Sequence, residues 1–435
     1  MLTFQREIPV RHRVDVLVAG GGPAGCAAAV AAARQGRSVF LAEGHTCLGG
    51  MGTAGLVPAF CQFSDGENLL AAGIGQEILD KLRAAGGTGP DSGVTIRAEV
   101  LKRLYDDLLL DAGVEFTFQT RLIAVEADGE RVTHAVLAAK SGLFAIEAKA
   151  FVDATGDGDL AAWAGAPFEK GDADGRMMPG TLCNLWAEID WDRVREGGRA
   201  RDDSRLEDAF ADKVFTHDDR HLSGMSRVGT HVGAGNVGHT FGVDGTDERS
   251  LTEALVWARK SMPEFQRYYS EYLKGFERME LIGTGSLLGL RETRRIVGDY
   301  VLCLADFERR AVFDDEIGRY CYPVDIHPLD TSLAEFQRFK REFGECRYGK
   351  GESYGIPYRA LTPRGLANVV VAGRCLSADR SMQSSMRVMP GCYITGQAAG
   401  VAAAMSAEGD GDVRGFPVAA LQQRLKAIGA YLPNA

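Results

Sequence analysis

Residues Val14–Glu43 read VDVLVAGGGPAGCAAAVAAARQGRSVFLAE, and this stretch decides the fold. Val14–Ala19 is an apolar run of strand length. The glycine turn Gly20-Gly21-Gly22-Pro23-Ala24-Gly25 follows, then an Ala-rich helical segment to Arg34. Gly36 stops the helix, and Ser38–Ala42 is a second strand ending in Glu43. In such a βαβ unit the first glycine allows the tight turn, the second lets a pyrophosphate approach the backbone, and the third lets helix and strand pack closely. Pro23 suits the first helical turn, where a missing N–H costs nothing. The helix N-terminus offers free N–H groups and positive dipole to phosphate. Glu43, 18 residues past Gly25, is placed for a ribose hydroxyl. Strand, turn, helix, strand and acid stand in register, so the unit reads as a dinucleotide site.

The remaining composition bounds the answer. A chain of 435 residues with 45% hydrophobic content can bury a large core in two to three domains. A net charge of −10 disfavours nucleic acid and anionic membrane as partners. No apolar run reaches the roughly 18 residues of a membrane span. The start MLTFQREIPVRHR lacks the apolar segment of a signal peptide. Nine cysteines without metal-type pairing fit reduced thiols. A cytoplasmic location is therefore expected.

Along the chain, 94–113 reads as a helix. The runs 114–118, 122–127, 132–139 and 144–150 read as a β meander, and 151–154 reads as a separate buried strand. Between 165 and 282 charge rises and strand spacing is lost. Leu251–Lys274 is its main helical segment, with Pro263 as a break, and the charged stretch 193–208 reads as a solvated face. Residues 368–372 read as strand again and 391–405 as an apolar helix. The expected organisation is a nucleotide-binding domain over 1–164 and 358–435, with a substrate domain inserted at 165–357. Part of 283–298 is open to either.

Four segments together resemble the two-dinucleotide-binding-domain flavoproteins, and specifically the bacterial FAD-dependent oxidoreductase family. They are the fingerprint above, Leu48-Gly49-Gly50-Met51-Gly52-Thr53, Phe151–Asp159 (FVDATGDGD), and Val369–Gly400. A fifth, Gly289–Ile296 (GLRETRRI), looks like that family's own signature. The resemblance implies an α/β, glutathione-reductase-like FAD-binding Rossmann fold, a parallel sheet plus β meander. It implies FAD, non-covalently held, with the adenine end at Gly20–Glu43 and the flavin near the C-terminal helix.

By the same resemblance Gly20, Gly22, Pro23, Ala24, Gly25 and Glu43 take the adenosine pyrophosphate half. Gly49, Gly50, Met51, Gly52 and Thr53 line the ring, and Leu122 meets adenine through its backbone. Thr155 and Gly156 belong to the Phe151–Asp159 segment of the resemblance, and Pro390 and Gly391 open the last helix toward the flavin N1–C2=O edge. Many flavoproteins carry Asp after the glycine ending the last strand. Here Arg374 follows Gly373, and Arg374 is expected at the pyrophosphate or ribityl chain.

Other features compete for a role. Gly233–Gly238 (GAGNVG) also fits GxGxxG, but no apolar strand precedes it and no helix follows, so a second dinucleotide site is not expected. His231, Asn236, His239 and Asp244 lie in that segment. His239 matches an Asn-x-x-His pattern of the resembled family and is the candidate base, facing the ring from a flexible loop. Arg387, just before the flavin-facing helix, is the second candidate. Arg291, Glu292, Arg294 and Arg295 read as an internal ionic network. Tyr354 and Tyr358 stay open as flavin neighbours.

His217 and His221, four apart, lack a third metal ligand, so no metal is expected. His45 stands too close to Gly49 for covalent FAD through it or Cys47. The functional reading is hydride transfer from a small polar organic substrate to flavin N5. An FAD enzyme of RNA modification and a redox-silent FAD-binding subunit are the alternatives. The partners expected are that substrate and an electron acceptor of unspecified kind, with homo-oligomerisation left open.

Overall fold

A computed structural model describes residues 1–2, 5–196 and 202–435. The central sheet runs in the order β3-β2-β1-β6-β5-β4. Its strands are β1 (Val10–Ala19), β2 (Val39–Ala42), β3 (Glu115–Thr117), β4 (Arg121–Asp128), β5 (Arg131–Ala139) and β6 (Gly142–Asp153). β1 pairs parallel with β2, Val16 opposite Val39, and parallel with β6, Val16 opposite Ala150.

β6 is the pivot of the architecture. Its first half pairs antiparallel with β5, Leu137 opposite Phe144. Its last three residues pair parallel with the C-terminal strand Val369–Val371. One strand thus belongs to both the parallel sheet and the meander. The sequence reading split it at 150/151 into two strands. No Gly or Pro separates Ala150 from Phe151, so the backbone continues and only its neighbour changes. The run at 114–118 was also expected in the meander. The structure instead pairs β3 parallel with β2, Leu41 opposite Phe116.

The helix Pro23–Arg34 is buried over its first ten residues. It lies against Met389–Ser406, every residue of which is buried. A Cβ on Gly396 or Gly400 would collide with the carbonyl oxygens of Ala24 and Ala28. The Gly396-x-x-x-Gly400 spacing therefore lets two backbones touch where larger side chains would hold them about 8–10 Å apart.

Residues 165–282 are not short of strands. Four short ones form an antiparallel sheet in the order Glu280–Thr284, Asn184–Ala187, Gly233–Asn236, Gly224–Arg227. They are too short and too glycine-rich to show period-two alternation. Trp186, Trp191, Phe265, Tyr268 and Tyr269 form a core of their own beneath them. The helix Glu248–Tyr272 is unbroken through Pro263. Pro263 is exposed, as is Arg259, so water can satisfy the carbonyl that loses its donor. Flanking Met262 and Phe265 are buried and hold the helix in place.

In the charged stretch 193–208, residues 197–201 lie outside the described residues. Among the described residues no helix is long and apolar enough to cross a membrane.

Candidate functional site

The glycine turn closes as the sequence requires. Gly20 has φ +92°, and a Cβ there would lie 2.6 Å from the Ala154 carbonyl oxygen. A Cβ on Gly25 would strike the Gly20 carbonyl. Gly22 differs. Its φ is −69°, which any residue adopts, and a Cβ there would meet nothing within 4 Å. Neither strain nor packing explains a glycine at 22, whereas a phosphate group seated against the backbone does. The residues present therefore fit a dinucleotide. Pro23 and Ala24 start the helix directly behind this surface.

Glu43 is buried, and its carboxylate bridges two turns. One oxygen accepts from the Gly21 N–H at 2.7 Å and the other from the His45 N–H at 2.7 Å. The acid braces the turn against the end of β2 and keeps a free lone pair on each oxygen. Beside it a cleft of about 370 Å³ is lined by Gly44, His45, Thr46, Gln119, Arg121, Ala138 and Ser286. Leu122, half-buried, is the next residue along β4 from Arg121.

Gly49–Thr53 folds back on the turn. Gly49 (φ +95°) donates its N–H to the Gly21 carbonyl at 2.8 Å, and Gly50 packs on Gly22 and Pro23. Met51 is half-buried beside it. A Cβ on Gly52 would lie 2.8 Å from Met389 Sδ, so this loop abuts the start of the last long helix, at Pro390 and Gly391. Thr53 donates its hydroxyl to the Leu48 carbonyl. The Thr155 hydroxyl donates to buried Asp153, and the Asp159 N–H donates to the Thr155 hydroxyl. Gly373 packs against Ala24.

Arg374 is placed differently from the expectation that it holds pyrophosphate or ribityl. Its Nε donates to the Gly156 carbonyl, Nη1 to the Leu290 carbonyl at 2.6 Å, and Nη2 to Asp157. All three nitrogens serve to join the strand end to the Leu290 loop.

The two catalytic candidates converge on one polar cluster. His239 lies in the irregular stretch after the strand Gly233–Asn236, and its side chain is 3% exposed, packed rather than open. Its Nδ1 meets Asp219 Oδ2 at 2.8 Å, and its Nε2 meets His327 Nδ1 at 3.0 Å. Arg291 Nε donates to His327 Nε2 at 3.1 Å.

This chain of bonds fixes the protons. A guanidinium only donates, so His327 Nε2 accepts and its proton sits on Nδ1. His239 Nε2 must then accept from His327, and its own proton sits on Nδ1, donated to Asp219. Asp325 Oδ1 lies 3.5 Å from His327 Nε2, too far to displace the Arg291 contact. Burial, with Arg291 beside it, holds His327 well below the usual histidine range. Burial likewise brings His221 down to about 4, helped by Arg291. The His221 ring stands 4.5 Å from that of His327.

Arg387 donates through Nη2 to Asp325 Oδ2 at 2.7 Å, while its Nε is buried with no partner. Burial pushes the Asp325 carboxyl up, but Arg387 and Arg291 hold it well below the carboxylate range. Asp325 keeps 28% of its side-chain surface accessible, so it borders a hollow that solvent can reach. Arg387 ends the short helix Arg380–Met386 and precedes the N-terminus of Met389–Ser406. The hollow therefore adjoins the start of Met389–Ser406.

Of the other candidates, Arg295 and Arg380 pair with buried Glu292. Tyr354 bonds Ser385, and Tyr358 bonds the Val413 carbonyl, both from the core. The segment Gly233–Asn236 is a strand in which Gly235 makes room for Asn184. His217 and His221 do not share a helix. Sequence reading missed Asp219, Asp325 and His327. They sit in irregular segments with no motif, and only the fold brings them together.

A family model described as FAD dependent oxidoreductase matches residues 15–425. No curated protein matches the chain. Among solved structures, a geranylgeranyl bacteriochlorophyll reductase-like protein from Thermoplasma acidophilum is similar at 14% identity, covering 96% of this chain and 83% of that one, with a TM-score of 0.45. A flavin-dependent brominase is similar at 13% identity over 95% and 83%, TM-score 0.46. A p-nitrophenol 4-monooxygenase from Pseudomonas putida is similar at 13% over 95% and 84%, TM-score 0.43.

Proposed function

The chain belongs to the FAD dependent oxidoreductase family, and from that premise we propose that it takes a hydride from a small polar organic substrate to flavin N5. We place the FAD in a glutathione-reductase-like manner, adenosine at Gly20–Glu43 and ring toward Met389–Ser406. Bound FAD supplies the two-electron acceptor. The protein must supply orientation, exclusion of water and a route for the proton left on the oxidised substrate.

The single observation that carries this reading is the hydrogen-bonded series Asp219–His239–His327, ending beside Asp325 and Arg387 at the head of the last helix. When Arg291 Nε lets go, His327 Nε2 becomes free to take a hydroxyl or amine proton. The His327 Nδ1 proton then passes to His239 Nε2, and the His239 Nδ1 proton passes to Asp219. Each ring ends neutral, and one proton has crossed the cluster. In this scheme His327 is the base, and His239 is the residue behind it. Gly233–Asn236 is a strand rather than a phosphate loop, so no nicotinamide site is assigned to that segment and the electron acceptor stays open.

The test is an anaerobic screen of hydroxy acids, sugars and amines for loss of the flavin absorbance band. Bleaching by one chemical class supports the reading. A holoprotein that dithionite reduces but no organic donor does would overturn it in favour of a redox-silent subunit.

A further inference from the structure

Cations predominate at the hollow itself, where Arg291 and Arg387 both act on Asp325 and Asp219 reaches Arg291 only from farther off. The bonding order along Arg291–His327–His239 keeps both imidazoles uncharged. The charge of Asp219 lies beyond them, engaged by His239. Two guanidiniums thus face a single carboxylate. The N-terminus of the 18-residue helix Met389–Ser406, directly after Arg387, adds further positive potential.

The two arginines are not equivalent. Arg291 is 5% exposed, and it donates to His327, to the Pro179 carbonyl and to the Thr181 hydroxyl. It is built into the wall. Arg387 makes all its bonds through Nη2, to the Asp325 carboxylate and carbonyl, and its Nε is buried with no acceptor among the described residues. That Nε is closed off by protein atoms, whereas Nη1 makes no bond among the described residues, and the terminal edge of a guanidinium matches carboxylate geometry in a two-point grip. Asp325 uses one oxygen on Arg387 and keeps surface open to the hollow, where a hydroxyl or amine can donate to it.

We propose that the substrate carries a carboxylate, gripped by Arg387, with its oxidisable hydroxyl or amine directed to Asp325 and His327. The inference names the substrate class of the hydride reading and rests on it for the word substrate, but the binding it claims needs no turnover. Arg387 is then the specificity residue, and Arg291 is a positioning residue that acts through His327.

The test is titration of the oxidised holoprotein with lactate, glycolate and benzoate, following the visible flavin spectrum and, in parallel, heat by calorimetry. The neutral counterparts lactamide, glycolamide and benzamide serve as controls. The acids are expected to bind and the amides to bind at least tenfold more weakly. Arg387→Met should weaken acid binding on the order of a hundredfold, and Arg387→Lys should restore part of it. Asp325→Asn removes the competing carboxylate and should tighten acid binding, a gain that a damaged fold would not produce. Acids and amides binding alike, or unchanged acid affinity in Arg387→Met, would overturn the inference. Acids that bind without ever bleaching the flavin would defeat the hydride reading and leave this one standing.

Discussion

His239 and His327 stand 88 positions apart in the chain and meet ring nitrogen to ring nitrogen at 3.0 Å. One histidine comes from the stretch just after the strand Gly233–Asn236, the other from the segment beside the last helix. Both rings have both nitrogens engaged, between a pure donor and a pure acceptor. That arrangement orients protons in one direction, from Arg291 toward Asp219.

A relay and a structural pair respond differently to substitution. His239→Ala should leave FAD bound but slow flavin reduction by on the order of a hundredfold with a donor found in the screen. Added imidazole should restore part of the rate by bridging His327 and Asp219. Asp219→Asn can still accept the His239 N–H but cannot take its proton, so it should keep the flavin spectrum and slow reduction. Stopped-flow reduction at saturating donor, with and without imidazole, decides. Parent rates in both variants would reduce the pair to packing.

Gly22 and Gly25 separate cofactor binding from folding. Gly22→Ala adds a methyl group to open space at an ordinary φ, so stability of the apoprotein should change by less than about 1 kcal/mol. FAD occupancy should nevertheless fall sharply. Gly25→Ala presses a methyl group into the Gly20 carbonyl and should cost several kcal/mol or abolish folding. Thermal melts and flavin-to-protein ratios read both effects. Full flavin content in Gly22→Ala would remove the pyrophosphate from that position.

The parallel half of the fold was legible because its signals are local. Strand, glycine turn, helix and acid occur within thirty consecutive residues, each with its own steric reason. The C-terminal strand and helix were legible from length and apolarity. The 165–282 region was not. Its strands are three to five residues long, one of them Gly233-Ala234-Gly235-Asn236, and a two-residue period cannot be seen there. Pro263 misled because propensity ignores which face of the helix it occupies. The site was half visible. His239 and Arg387 could be singled out by chemistry and neighbours, but their link runs through Asp325 and His327, whose positions no spacing rule connects to either.

Glu43 carries two roles that one variant can separate. Glu43→Gln keeps an acceptor for one backbone N–H but loses the charge and the second acceptor. It should weaken FAD binding by about tenfold while the fold holds. Glu43→Arg puts a cation where two N–H groups point and should lose most of the FAD. Acid precipitation of the parent should release intact FAD into the supernatant. Flavin retained in the washed pellet would point to His45 or Cys47 as a covalent anchor.

The histidines also set a pH limit on stability. Burial brings His221 to about 4 and holds His327 well below the ordinary histidine value of about 6.5. Asp219, His239, Arg291, Asp325 and Arg387 are the charged and titratable groups packed around them. Below pH 6.5 the unfolded chain takes up protons that the folded chain refuses, so their contribution to stability falls as pH drops toward 4. Above 6.5 both are neutral in either state and contribute no slope. Asp219 and Asp325, held below the carboxylate value of about 3.9, lose their stabilisation only at lower pH. Asp153 is raised to about 6 by burial and works the other way over the same window, gaining stability as pH falls. The parent slope alone is therefore a difference of opposed effects, and the variant must isolate the histidines. His221→Asn combined with His327→Asn is expected to lose about 1–3 kcal/mol less than the parent between about pH 7 and pH 5. Urea unfolding of the FAD-saturated proteins at both pH values measures it. Parallel losses in parent and variant would mean that both histidines protonate freely in the folded state, and the fixed proton order along Arg291–His327–His239–Asp219 would fall with them.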